Sequence, residues 1–196
     1  MNNITSIILT VALFIFPSMA TASTWQIDPV HTNIQFSVRH MMISNVKGVF
    51  HKFTGAFEID DKDITKSKAS SVIDVNSIDT GIEKRDEDLR SANFFDVAKY
   101  PTMTFVSKRF SRTGANKFKM IGDLTIHGIT REVALDIEGL ETVVKDPWGN
   151  MRRGVTMTTK INRKDFGLTY NKVLETGGVV VGDEVAINIE VEMIKK

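Results

Sequence analysis

The sequence predicts an all-β protein of about eight long antiparallel strands, and three observations carry that prediction. Runs of alternating apolar and polar residues recur along most of the chain, the period-two signature of strands with one buried face. Turn residues separate the runs. One stretch, residues 77–105, breaks the alternation and reads as a short helix with an aromatic anchor. Strands of this kind assemble as a sandwich or as one sheet closed into a barrel.

Residues 1–22 read as a leader. Ile4 to Phe16 is almost wholly apolar, and Pro17 and the small-residue pattern Ala20-Thr21-Ala22 follow it, as at a signal-peptidase site. A basic segment ahead of the run is missing. The run is too short for a comfortable membrane span of about 20 residues. Cleavage after Ala22 leaves one domain, residues 23–196, exported to the periplasm. The chain has no cysteine, which excludes a lipidated anchor, a disulfide scaffold and thiolate chemistry. No permanent membrane anchor is expected. With 25 basic and 24 acidic residues, nothing points to a nucleic-acid partner.

The strands follow in order. Ile34, Phe36 and Val38 alternate with polar neighbours, as do Phe53, Gly55, Phe57 and Ile59. Phe118 to Ile126, Val133 to Glu138, Val155 to Ile161 and Val185 to Met193 keep the same period, while 71–76 and 103–110 fit it less cleanly. Ser111 to Asn116, His127-Gly128 and Asp146 to Asn150 carry turn chemistry. Lys164 to Asp183 is the longest irregular piece. Gly55 and Gly122 stand among inward Phe residues and leave room, which favours an internal cavity, although glycine in strands also marks bends.

Within 77–105, Thr80 and Glu83 have capping-box spacing, so Thr80 is read as the cap and Glu83 as reaching back to it. Asp86 and Arg90 stand four apart with the acid first, the favourable order for a helical pair. Leu89 faces elsewhere. Phe94-Phe95 follows, and Pro101 ends any helix and hands the chain to a strand at Met103. The helix is placed across the mouth or flank of the β-structure.

Catalytic signatures are missing: no G-x-S-x-G, no H-E-x-x-H, no P-loop, no G-x-G-x-x-G. Ser77 and Ser91 read as turn and cap residues. His31, His40, His51 and His127 form no ligand-spaced pair, so no metal site is read, and a composite of His40 with Asp86 or Asp88 stays open. The helix charges read first as a solvated face. The alternative sets Arg39, His40, Arg85, Asp86 and Arg90 at a barrel opening, holding a ligand head group beside Leu89 and Phe94-Phe95. The candidate cavity lining is Phe36, Val38, Phe50, Phe53, Phe57, Leu89, Phe94, Phe95, Phe105, Leu124, Ile126 and Phe166.

These residues resemble the YceI-like family over essentially the whole mature chain. The resemblance rests on Trp25-Gln26-Ile27-Asp28 with His31, Phe36 to His40, Gly48-Val49-Phe50, Phe53 to Phe57, Ser77 to Gly81, Arg85 to Ser91 with Phe94-Phe95, Tyr100-Pro101, Gly122 to Thr130 and Asn162 to Gly167. It implies an extended antiparallel lipocalin-like β-barrel of about eight strands, with one or two short helices at its opening or flank. It also implies a non-enzymatic role: binding a polyisoprenoid lipid or isoprenoid quinone inside, for periplasmic transport, storage or sequestration, sometimes in stress responses. No cofactor is implied beyond that ligand. Where the family carries a histidine in R-D-x-H-L-R, this chain has Asp88, and an acid there would repel a phosphate head. The rival readings are an enzyme on the same barrel and a filled barrel acting through its surface. The exposed β surface also allows a homodimer.

Overall fold

The computed structural model describes residues 22–175 and 177–196. The leader read over residues 1–22 lies, up to residue 21, outside the described residues. The strands are β1 (Ser23–Ile27), β2 (Asn33–His40), β3 (Ser44–Phe50), β4 (Phe53–Ile59), β5 (Lys68–Asp74), β6 (Ile78–Asp79), β7 (Thr102–Gly114), β8 (Lys117–Ile126), β9 (Ile129–Glu138), β10 (Val143–Lys145), β11 (Met151–Asn162) and β12 (Val181–Lys195). One α-helix, α1 (Glu83–Arg90), stands between β6 and β7.

These strands close into an eight-stranded antiparallel barrel in simple up-and-down order. Three of its walls are single long strands broken once each: β1 with β2, β3 with β4, and β5 with β6. The first pair shows it, with Gln26 opposite Ala56 before the break and Ile34 opposite Phe50 after it. The second and third breaks bind one another. His51 and Lys52 donate their N–H groups to the Ser77 carbonyl and hydroxyl, and Asp74 donates to the Lys52 carbonyl. Backbone groups freed at a break need such partners, and these bonds hold the two breaks together. β7, β8 and β9 continue the meander. β12 closes it, running along β11 on one edge and along β2 and then β1 on the other.

The closure is uneven. β9 and β11 pair only at Asp136–Glu138 with Thr156–Thr158. Beyond that point they splay, and the Thr159 hydroxyl reaches across to the Ala134 carbonyl at 2.7 Å. The 3₁₀ turn Arg163–Phe166 packs into the seam, where Arg131 donates to the Asp165 carbonyl and Phe166 is fully buried.

Tight turns join the strands. His127-Gly128 and Asn116 take positive φ, which Gly and Asn accept readily. The β2–β3 turn takes the same form with Met41 and Met42, at φ 49° and 64°. That conformation costs about 1–2 kcal/mol per side-chain-bearing residue.

The glycines expected to leave room do not. A Cβ on Gly122 would lie 2.4 Å from the Phe105 ring and 2.5 Å from the Val106 carbonyl oxygen. Gly55 is likewise covered by Ile27, with a Cβ meeting its Cδ1 at 2.6 Å. These glycines seat neighbouring side chains; the empty space lies elsewhere.

Candidate functional site

The interior has two parts. Where β1 begins and β12 ends, Trp25, Phe118, Ile137, Leu140 and Met193 are at most 1% exposed. The Arg153 guanidinium lies 4.6 Å over the Trp25 ring, donates to the Leu140 carbonyl and pairs with Asp61. Burial pulls the pKa of Arg153 down, and the Asp61 charge opposes that. This end is packed shut. Toward α1 the barrel is hollow, with an apolar cavity of about 190 Å³ that opens at one end.

Side-chain size decides where the hollow begins. The packed end faces inward with Trp, Phe and Met. The cavity wall has no Trp and mixes Phe and Met with many Val, Ile and Leu, among them Val181, Val185, Ile187 and Ile189 from β12 and Ile161 from β11. A roof covers the α1 end. Leu89 of α1, Phe94 and Phe95 point into the cavity from above, and Phe94 packs on Tyr170 at 4.9 Å between ring centroids. Phe95 meets Phe50 edge-on at 6.2 Å. Val38, Leu89, Phe94 and Val181 face inward yet are only half-buried, so the cavity opens at this end.

Ten of the twelve expected lining residues do line it: Phe36, Val38, Phe50, Phe57, Leu89, Phe94, Phe95, Phe105, Leu124 and Ile126. Phe53 and Phe166 do not. Phe166 fills the β9–β11 seam, and Phe53 packs with the buried cluster of Ile34, Phe50, Val75 and Ile78.

None of the five polar residues expected at the mouth lines the cavity, and the reason is local. The Asp86 carboxylate is 4% exposed and accepts both the N–H and the hydroxyl of Thr80. Arg85 donates to the same hydroxyl and to the Thr80 carbonyl, both at 2.7 Å. Arg90 pairs with Glu83 at 2.6 Å, not with Asp86, and reaches toward the Ile78 carbonyl. The expected capping box therefore does not form: Ile82 is the N-cap, without a side-chain bond, and Thr80 serves Asp86 instead. The motif ties α1 to the end of β6. Arg39 is exposed and donates to the Met42 carbonyl. His40 is paired in β2 and makes no part of the wall. Asp88 is exposed and accepts from Asn93, so its charge does not face the cavity.

The charged lining residue that the sequence reading missed is Arg163. It is 4% exposed and donates to the carbonyls of Gly182, Leu168 and Val181 and to the Asp183 carboxylate. Its signal was the Asn162 to Gly167 motif, whose charge falls where an apolar inward residue would be due. Burial lowers its pKa, with Asp183 opposing. These bonds hold the loop between β11 and β12 against the barrel.

The proposed pairing of His40 with Asp86 or Asp88 is not assembled, since those acids serve Thr80 and Asn93. Among the described residues, one trio of potential metal-binding side chains comes together: Asp28, His31 and Glu192. A cation already occupies it. Arg152 lies 2.8 Å from Asp28 and 2.6 Å from Glu192. Hydrogen bonds from His31 and Arg152 hold the Asp28 carboxyl down to about 2. Burial would raise the neighbouring Asp146 carboxyl, but bonds from Arg152, Asn150 and Trp148 outweigh it and hold it well below the usual range. This network braces the strand break at 28–32.

Three comparisons bear on the chain. A family model described as YceI-like domain matches residues 25–193. The UPF0312 protein SAS2572 of Staphylococcus aureus is 40% identical over 166 residues, 84% of this chain and 94% of that one. Among solved structures, Burkholderia cenocepacia BcnA superposes with a TM-score of 0.73 at 25% identity, covering 85% of this chain and 98% of its own. A polyisoprenoid binding domain from Saccharophagus degradans, described as implicated in plant cell wall breakdown, superposes at 0.64 with 17% identity, covering 89% and 99%; that likeness is one of fold.

Proposed function

The chain belongs to the YceI-like domain family, and from that premise we propose that it is a non-enzymatic carrier that holds one long-chain polyisoprenoid in its barrel. The observation that supports this best is the apolar hollow between packed floor and aromatic roof. Burial of each CH₂ is worth roughly 0.8 kcal/mol, so a prenyl chain of several units gains affinity from such a wall with no polar contact. The binding described for the Saccharophagus degradans domain supports the same ligand class. Arg163, the charged lining residue, already serves three carbonyls and Asp183. A buried anion would have no free partner there and would be costly. The head group is therefore uncharged, as in a quinone, or stays outside the mouth. Carriage between membranes in the periplasm fits the leader read at residues 1–22 and the lack of cysteine. The exposed β surface allows a homodimer, which a measurement of mass in solution tests.

Native mass spectrometry after incubation with a long-chain isoprenoid quinone in detergent tests the carrier reading. A complex with one lipid is expected. Ile187→Trp, which adds bulk to the half-buried wall, lowers uptake about tenfold, roughly 1.4 kcal/mol. Apo mass alone, with no uptake of any prenyl lipid, overturns the proposal.

A further inference from the structure

Resting on that carrier reading, we propose that the β2–β3 tip, Met41-Met42-Ile43 with Val173 beside it, is the surface by which the protein docks on a lipid bilayer. These side chains are 41%, 54%, 77% and 81% exposed. They form one patch. The Met41 N–H donates to the Val180 carbonyl, Met42 lies beside Gly178, and Val173 bridges to Val179 within the same loop. The patch lies at the open end of the cavity: Val38 precedes the tip in β2, and Val181 pairs with His40.

Two observations select a bilayer as the occupant. First, the sequence of the turn works against its own backbone. Elsewhere in the barrel, positions of positive φ in the tight turns carry His-Gly or Asn, whereas here two methionines hold that conformation with their side chains in water. Asn-Gly would relax the turn, so the apolar tip is kept for something other than folding. Second, the tip projects from the rim that the ligand must cross. A prenyl chain dissolved in a bilayer reaches the cavity without entering water only if this rim meets the hydrocarbon. A projecting tip of flexible methionines and an isoleucine suits shallow insertion at the level of the head groups. The nearby exposed charges are Lys172 and Glu175, which offset each other, and Arg39, which donates to the Met42 carbonyl. Docking is therefore driven mainly by apolar contact, with one basic side chain beside it.

The test uses flotation with phosphatidylcholine vesicles, with and without phosphatidylglycerol, and transfer of a long-chain isoprenoid quinone from those vesicles to the protein. M41N/M42G is expected to lose flotation and slow transfer about tenfold, equally on both compositions. Its thermal midpoint should rise, because the turn relaxes, and its uptake from detergent micelles should stay within about twofold of the parent. Ile43→Ser, which leaves the turn backbone alone, should act in the same direction. Trp148→Ser, at the far end of the barrel and 80% exposed, should change nothing. Unchanged flotation and transfer in M41N/M42G, or their loss in Trp148→Ser instead, overturns the proposal. If the parent takes up no lipid even from micelles, the carrier reading falls, and flotation alone then decides whether the tip docks.

Discussion

The two ends of this barrel share one alternation of inward and outward side chains, yet one end is solid and the other hollow. At the packed end Trp25, Phe118 and Met193 meet across the axis, and Arg153 closes over Trp25. At the open end the inward positions of β2 and β12 carry Val38, Val185 and Ile187, too short to meet, while Phe36, Phe50, Phe57 and Phe105 line the wall and Phe94 and Phe95 the roof. Period two specifies which face is buried. The volume of the inward side chains decides whether the buried face encloses space. The packed end should therefore govern stability, and the open end ligand uptake.

The sharpest way to break that division is Trp25→Ala. It should cost about 3–5 kcal/mol in denaturant unfolding, as for other large core truncations. Ile187→Ala on the cavity wall should cost no more than about 1 kcal/mol, because that side chain leaves little packing behind. Equal losses would mean that the hollow end is packed in solution. Gly122→Ala probes the boundary between the ends. Its methyl group would strike the Phe105 ring and the Val106 carbonyl, so a loss of about 1–3 kcal/mol is expected. If glycine there merely left room, the change would be neutral.

Asp86→Ala should cost about 1–3 kcal/mol by leaving the Thr80 N–H and hydroxyl unpaired. Hydrogen exchange should accelerate in residues 80–97 while the packed end stays protected. Acid titration separates the strand break from both ends. The Asp28 carboxyl is depressed from 3.8 to about 2, so its stabilisation is complete above about pH 4 and is lost as pH falls through 2. Urea midpoints should fall over that window, and Asp28→Asn should flatten the slope. The smallest effect belongs to His40→Ala, within about 0.5 kcal/mol and with unchanged lipid uptake, since His40 is not part of the wall. A large loss of uptake would return His40 to the mouth.

Much of the wall was legible in the chain. The alternation at 34–38, 53–59, 118–126, 155–161 and 185–193 located β2, β4, β8, β11 and β12, and Pro101 marked the start of β7. β1, β3, β6 and β10 were not read as strands. β3 carries polar residues and glycine through Ser44 to Gly48, and β10 is three exposed residues held only by β11. At the site, Leu89 and Phe94-Phe95 were placed correctly because apolar residues in a non-periodic stretch must be covered by something. The polar residues expected at the mouth stand at the open end, on the β2 rim and on α1, but none lines the cavity. Spacing pairs Asp86 with Arg90, but Thr80 lies closer in space and can be satisfied by a buried carboxylate. Arg163 was missed because only the fold brings its partners, at 168 and 181–183, around it.

The sequence by itself determined the long alternating strands, their buried faces, the helix and its aromatic anchor, since these depend on neighbours a few positions apart. Tertiary structure decided where the hollow lies, which charges face it and which merely tie elements together. Those outcomes depend on what stands across the barrel, and a side chain's partner there can be more than a hundred residues away, as Asp28 is from Arg152.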